Sequence, residues 1–321
     1  MKTLVIKRSI IAGLIVISVI IYLSYVFIFY QKNFQSQKPR KFGATYMTMN
    51  NPYFGILDGA IREVIEANGD YLISRDPATY QEKQNQQIYE MIEEGVEAIF
   101  VNPVDWKGVK PALLACKEAN IPVFNVDTYV YDTDLVVSVI ASDNYNAGVQ
   151  CAQDMMSKLD SADIVILDQP LINSITQRVQ GFKDTIAGNS NYRIVAQEAA
   201  RGELEVAMEV MNNIIESDLE FDVVLGGNDP TALGALAAIE SHHMTDDILI
   251  YGIDGSPDGK MMIREGYLEG TSAQYPSDMG KISAEVAYAY LNGEKVEKNI
   301  VVPVKLITRD NLDEFAIDEW Q

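Results

Sequence analysis

Residues 98–126, AIFVNPVDWKGVKPALLACKEANIPVFNV, hold the pattern from which the fold follows. Ala98–Val101 and Pro122–Val126 are short apolar runs, and a longer amphipathic stretch, about Val109–Asn120, lies between them. Strand, crossover helix and second strand make a βαβ unit, in which the two strands run parallel. Polar residues gather where each run stops. Asn102-Pro103-Val104-Asp105-Trp106 follows the first and Asp127-Thr128 follows the second.

The same rhythm continues in both directions at roughly 20 to 30 residues per strand and helix. Before the stretch, strands are expected at Phe42–Met47 and Tyr71–Ser74, with helices at about Tyr53–Asn68 and Tyr80–Glu94. After it, Val136–Ile140 closes one half. The pattern then restarts with strands at Ile164–Leu167, Arg193–Gln197, Val223–Gly226, Ile248–Ile253 and Gly270–Gln274. Helices at about Asn144–Leu159, Ile175–Ala187, Glu203–Ser217, Thr231–Ser241 and Pro257–Glu265 separate them. A last helix, about Met279–Leu291, ends at the turn Asn292-Gly293 and precedes a final strand, Ile300–Leu306. Two similar α/β halves result. No low-complexity linker divides them, so strands passing from lobe to lobe are expected in place of a flexible tether.

Composition excludes several classes. The chain has 321 residues, 48% of them hydrophobic, enough for a sizeable core and more than one core usually organises. All seven basic residues before Phe42 lie in a stretch without acids, so the remaining body carries 18 basic against 46 acidic side chains, a formal charge of −28. Such a body repels a polyanion, which argues against nucleic acid as a partner. Cys116 and Cys151 are too few for a disulfide framework or a four-cysteine zinc site, and both fall in expected helices, where they read as buried thiols.

Ile10–Tyr30 is uncharged throughout and, as a helix, is about 30 Å long, matching a bilayer core. It ends Phe27-Ile28-Phe29-Tyr30-Gln31, without the small-residue site of a cleavable leader, so residues 1–41 read as an uncleaved signal anchor and short linker, with a cleaved secretory signal of unusual site as the alternative. Positive charges flank the span almost equally, and the charge rule leaves its orientation open.

Catalytic motifs are missing. Gly255-Ser-Pro-Asp-Gly259-Lys260-Met261 has one residue too few between its glycines for a phosphate loop, and methionine stands where Ser or Thr holds magnesium. No G-x-G-x-x-G follows a strand, no G-x-S-x-G is present, and His242-His243 reads as a solvated helix end. No enzyme activity and no cofactor are expected. What stands out instead is the polar set directly after the strands, where open α/β sheets bind ligands. In the first half these are Asn50-Asn51-Pro52-Tyr53-Phe54, Asn102 and Asp127. In the second they are Asn228-Asp229-Pro230, Asp254-Gly255 and Gln274. Amides, carboxylates and aromatic faces together suit a ligand covered in hydroxyls, while helix capping alone accounts equally well for Asn51 or Asn228 taken singly.

These residues, with Asn120-Ile121-Pro122-Val123, Ala141-Ser142-Asp143-Asn144, Arg178-x-x-Gly181-Phe182, Ala232-Leu233-Gly234-Ala235-Leu236, Gly252-x-Asp254-Gly255-x-Pro257-Asp258-Gly259 and Ala273-Gln274-x-Pro276, resemble the type I periplasmic binding proteins of sugar transporters, most closely the ribose-binding branch. The resemblance covers essentially all of 42–310. It implies two Rossmann-like lobes joined by three crossing strands, with the sugar in the cleft between them. Lobe 1 would take 42–141 and 276–298, and lobe 2 would take 142–275 and 299–321. By the same resemblance Asn51 and Asp127 would bond the sugar, with Asn102 close by and Tyr53 and Phe54 covering the ring. Arg178, Asn228 and Asp254 would reach it from the second lobe and Gln274 from a crossing strand. Two positions depart from the ribose-binding pattern: Thr128 replaces an arginine and Met47 a serine. The departures point to a different arrangement of hydroxyls.

The implied protein is a monomeric receptor on the extracytoplasmic side of the cell membrane, held by its anchor, closing on a monosaccharide and delivering it to an ABC permease. A sensor kinase or chemoreceptor reading the closed form is the alternative. A DNA-binding repressor built on the same domain needs a helix-turn-helix where this chain has its apolar span.

Overall fold

The computed structural model describes residues 17–26, 39–244 and 248–321. Residues 1–40 and 41–321 are separate compact units. In the first, residues 17–26 are helical, with Ile17, Ile20, Ile21 and Leu23 exposed. The rest of the 10–30 run lies outside the described residues. No helix among the described residues is long and apolar enough to cross a membrane.

The second unit holds two parallel-dominated sheets. The first contains β1 (Lys41–Thr45), β2 (Tyr71–Arg75), β3 (Ala98–Val101), β4 (Val123–Val126), β5 (Ser138–Ser142) and β11 (Asn299–Val302), in the order β11-β5-β4-β3-β1-β2. The second contains β6 (Ala162–Asp168), β7 (Tyr192–Ala199), β8 (Val223–Gly226), β9 (Leu249–Asp254), β10 (Gly270–Ala273) and β12 (Lys305–Thr308), in the order β12-β10-β9-β8-β6-β7. Only the β10–β12 pair is antiparallel. Each order reverses beside its first strand, and such a switch point opens a crevice at the carboxyl ends of the strands.

Helices cover both faces of each sheet because successive strand side chains point to opposite sides. In lobe 1, Phe42, Ala44 and Phe100 face α1 (Pro52–Ala67) and α9 (Pro276–Leu291), whereas Ile99 and Val101 face α2 (Gln81–Glu93) and α3 (Lys110–Glu118). In lobe 2, Ile164 and Ile166 pack on α4 (Asn144–Lys158) and α5 (Asn173–Ile186). Val165 and Leu167 pack on α6 (Leu204–Glu216), α7 (Asp229–Ser241) and α8 (Pro257–Glu265). Cys116 and Cys151 are free and buried in these cores.

The chain passes between lobes three times, after β5, after β10 and after β11. The last passage differs from the sequence reading. The single strand expected at Ile300–Leu306 is two strands in different sheets, β11 beside β5 and β12 beside β10, separated by Pro303-Val304. Proline has no N–H to give a ladder, so pairing stops there. Lobe 1 therefore keeps the chain to Val302, four residues beyond the expected boundary at 298.

Candidate functional site

A cavity of 590 Å³ lies between the lobes at the carboxyl ends of the strands. It takes in eight of the nine residues singled out in the sequence: Asn51, Tyr53 and Phe54, then Asp127 and Arg178, then Asn228, Asp254 and Gln274. Asn102 is the exception. It is fully buried behind Asp127, where its amide nitrogen donates to Asp127 Oδ2 at 2.9 Å and its oxygen accepts from Met47 N at 3.0 Å. The end of β3 points this side chain at the neighbouring loops, so Asn102 orients Asp127 and does not line the cavity.

Asn51 ends the extended chain and caps α1, its oxygen accepting from Tyr53 N, and Pro52 is fitted to the first helical turn because the N–H it lacks has no helical partner there. This places Tyr53 and Phe54 on the inner side of the first turn, edge to face at 5.3 Å. Tyr53 Oη donates to Asp127 Oδ1 at 2.9 Å. The same oxygen lies 3.5 Å from Gln274 Oε1. Gln274 Nε2 in turn donates to Asp254 Oδ1 at 2.7 Å. A polar chain thus runs from lobe 1 through a crossing strand into lobe 2.

Arg178 completes it. Its Nε donates to Asn144 Oδ1 at 2.8 Å, Nη1 donates to the Gly227 carbonyl at 2.9 Å, and Nη1 lies 3.7 Å from Asp254 Oδ1. Its place is set by the approach of α4 to α5. A Cβ on Gly148 would come 1.8 Å from the Arg178 carbonyl, and one on Gly181 would come 2.0 Å from the Tyr145 carbonyl. Only glycine permits that contact, which accounts for the Arg178-x-x-Gly181 spacing. Asn228 caps α7 through Thr231 N and also donates to the Gly202 carbonyl at 3.1 Å, so it serves the cap and lines the cavity at once.

The two buried acids among those lining the cavity are both held at positive φ, 66° for Asp127 and 150° for Asp254. Residues other than glycine adopt such angles at a cost, which surrounding contacts must offset. Burial raises the pKa of Asp127, an effect opposed by Arg178 and by the donors Tyr53, Thr128 and Asn102. Burial also pushes Asp254 up, to about 8, against Arg178 and with help from buried Asp229 and Asp127. One guanidinium therefore serves three buried carboxylates.

Several contacts had no sequence signal. Thr128 Oγ1 and Ser174 Oγ meet at 2.8 Å across the lobes, and Trp106 N donates to the Leu171 carbonyl at 3.3 Å. Ile172, Ile175, Pro230 and Leu233 add an apolar wall on the lobe 2 side. Trp106 itself does not line the cavity; it packs edge-on against Tyr131 with the Lys107 ammonium over both rings. Among the described residues no cluster could hold a metal ion.

Two α/β lobes around a cleft lined from both sides define the architecture of a two-lobed binding protein. The chain belongs to the periplasmic binding protein domain family, whose model matches residues 42–295. It is 30% identical to the ribose import binding protein of Bacillus subtilis (strain 168), over 86% of this chain and 90% of that one. A solute-binding protein of an ABC transporter from Bacillus halodurans C-125, solved with bound myo-inositol, superposes with a TM-score of 0.81 at 25% identity, covering 87% of this chain and 98% of that one. The binding component of the arabinose ABC transporter from Shewanella sp. ANA-3, bound to L-arabinofuranose, gives 0.80 at 28% identity, with 85% and 93% coverage. These relatives are solute-binding proteins, not enzymes.

Proposed function

We propose that this chain is an extracytoplasmic receptor for an uncharged monosaccharide or cyclic polyol, which its lobes enclose for delivery to an ABC permease. The observation that carries the reading is the convergence of Asp127 and Tyr53 from lobe 1, and Arg178 and Asp254 from lobe 2, on one cavity, with Gln274 between the two sets. Neither lobe satisfies a ring of hydroxyls alone, so a ligand touching both favours the closed arrangement. The carboxylates accept from hydroxyls, Arg178 and the amides of Asn51 and Asn228 donate to them, and Phe54 offers its face to ring C–H groups.

The cavity's charge narrows the ligand. Asp76, Glu203, Glu205 and Asp258 line it in addition to Asp127 and Asp254, against Arg178 and Arg201. A sugar acid or phosphate would enter against that excess, and Thr128 in place of an arginine removes a cation that could hold it. Relatives that import ribose or bind arabinofuranose and inositol support a small neutral ligand and favour transport over sensing. In this reading residues 10–30 tether a monomeric receptor to the membrane beside its permease, which raises the effective concentration of the pair.

A thermal-shift screen of residues 41–321 against pentoses, hexoses, inositols and matching uronic acids tests this. A ligand that binds only the native state raises the melting temperature. Stabilisation by a neutral sugar or polyol and none by the acids is expected. A response to amino acids or nucleosides alone would replace the assignment.

A further inference from the structure

Beyond β12 the chain first belongs to lobe 2. Leu312 is buried in that lobe's core, Phe315 and Ile317 pack against the same core, and the Lys305 ammonium sits over the Phe315 ring at 5.1 Å. Lys260 of α8, fully buried, donates from Nζ to the carbonyls of Ala316 and Glu319. One residue later the chain has reached the other lobe. Trp320 packs on the core cluster that contains Phe42, Phe54 and Met279, and meets Tyr53 edge-on at 5.6 Å and 71°. Tyr53 is the ring whose hydroxyl donates to Asp127.

We infer that residues 316–321 form a strap across the hinge, anchored on lobe 2 by Lys260 and on lobe 1 by Trp320, which holds the lobes closed and Tyr53 in place. The three strand passages are continuous chain and persist through any opening. The strap is different, because Trp320 meets lobe 1 through side-chain packing on its core and on Tyr53. Separating Tyr53 from α8 must either part Trp320 from Tyr53 or draw the Ala316 and Glu319 carbonyls off a buried ammonium, which has no other acceptor among the described residues. Trp320 is thus a positioning residue for the cleft, acting through Tyr53 and touching no cavity surface itself. The inference goes beyond the sugar reading and needs no ligand for its test.

Cys116 and Cys151 are buried, so cysteines introduced at exposed Glu82 on α2 and exposed Glu209 on α6 accept spin labels selectively. Inter-lobe distances are then read by pulsed electron resonance on the full-length chain in mild detergent, without sugar. The wild type is expected to show mainly the short distance. Trp320→Ala should raise the ratio of long to short distances about three- to tenfold, the range for losing one aromatic edge contact. Trp320→Phe should restore most of it, and Lys260→Met, which frees the other anchor, should reproduce the shift. Melting curves show that each variant is folded. A wild type already long, or distributions unmoved by Trp320→Ala and by Lys260→Met in folded protein, overturns the strap.

Discussion

Asp254 gives the sharpest test of the cleft's electrostatics. Its carboxyl is raised to about 8 in the folded chain by burial and by Asp229 and Asp127, against an ordinary value of 3.8. The folded state therefore keeps a proton that the unfolded chain releases through the whole interval between those values. Stability linked to this group is highest at the acid end and falls as pH rises, by on the order of 1 kcal/mol per pH unit, levelling off above about 8. Asp254→Asn removes the titration while keeping an oxygen for Gln274 Nε2, which now donates to Asp254 Oδ1 at 2.7 Å. Urea unfolding of residues 41–321 without sugar, at intervals from pH 5 to 8.5, measures both proteins. Groups far from the cleft titrate alike in the pair, so the difference between the curves reports Asp254 together with the response of its neighbours Asp229 and Asp127. The wild type should lose stability relative to the variant by on the order of 1 kcal/mol per pH unit up to about pH 8. Parallel curves would refute the assignment of a buried, proton-bearing Asp254.

Three further outcomes follow from the same geometry. Arg178→Ala removes the buried guanidinium beside Asp254 and should weaken binding of the best sugar by tenfold or more in calorimetry. Gly148→Ala drives a methyl into the Arg178 carbonyl and should destabilise the body by about 1 to 3 kcal/mol or more in urea unfolding, with a loss of sugar affinity because Arg178 moves. Asn102→Ala leaves Met47 N and Asp127 Oδ2 each short of a partner, which should cost about 1 to 3 kcal/mol in the same unfolding assay even though the residue lines no cavity.

Much of this arrangement was legible in the sequence because apolar runs that end in a carboxylate or amide mark the carboxyl edge of a parallel sheet. Asp127 and Asp254 are of this kind. Arg178 is not, since it sits inside a helix where its spacing resembles any surface cation. Only the resemblance to a known family singled it out, and the glycine contact between α4 and α5 explains its place. Asn102 shows the opposite limit: its position after β3 was read correctly, yet its direction depends on which neighbouring loops need donors. The pairing of Thr128 with Ser174 and of Tyr53 with Trp320 joins residues far apart in the chain, and local pattern says nothing of such meetings. Pro303 was the readable sign that the last strand breaks, because proline has no N–H to give a ladder.

The most direct measurement is a crystal structure of residues 41–321 grown with the neutral sugar or polyol that stabilises the body most. The ring is expected against Phe54, with hydroxyls within hydrogen-bond distance of Asp127, Arg178 and Asp254 at once. A ligand seated elsewhere, or one held by a single lobe with those three side chains untouched, would contradict the account.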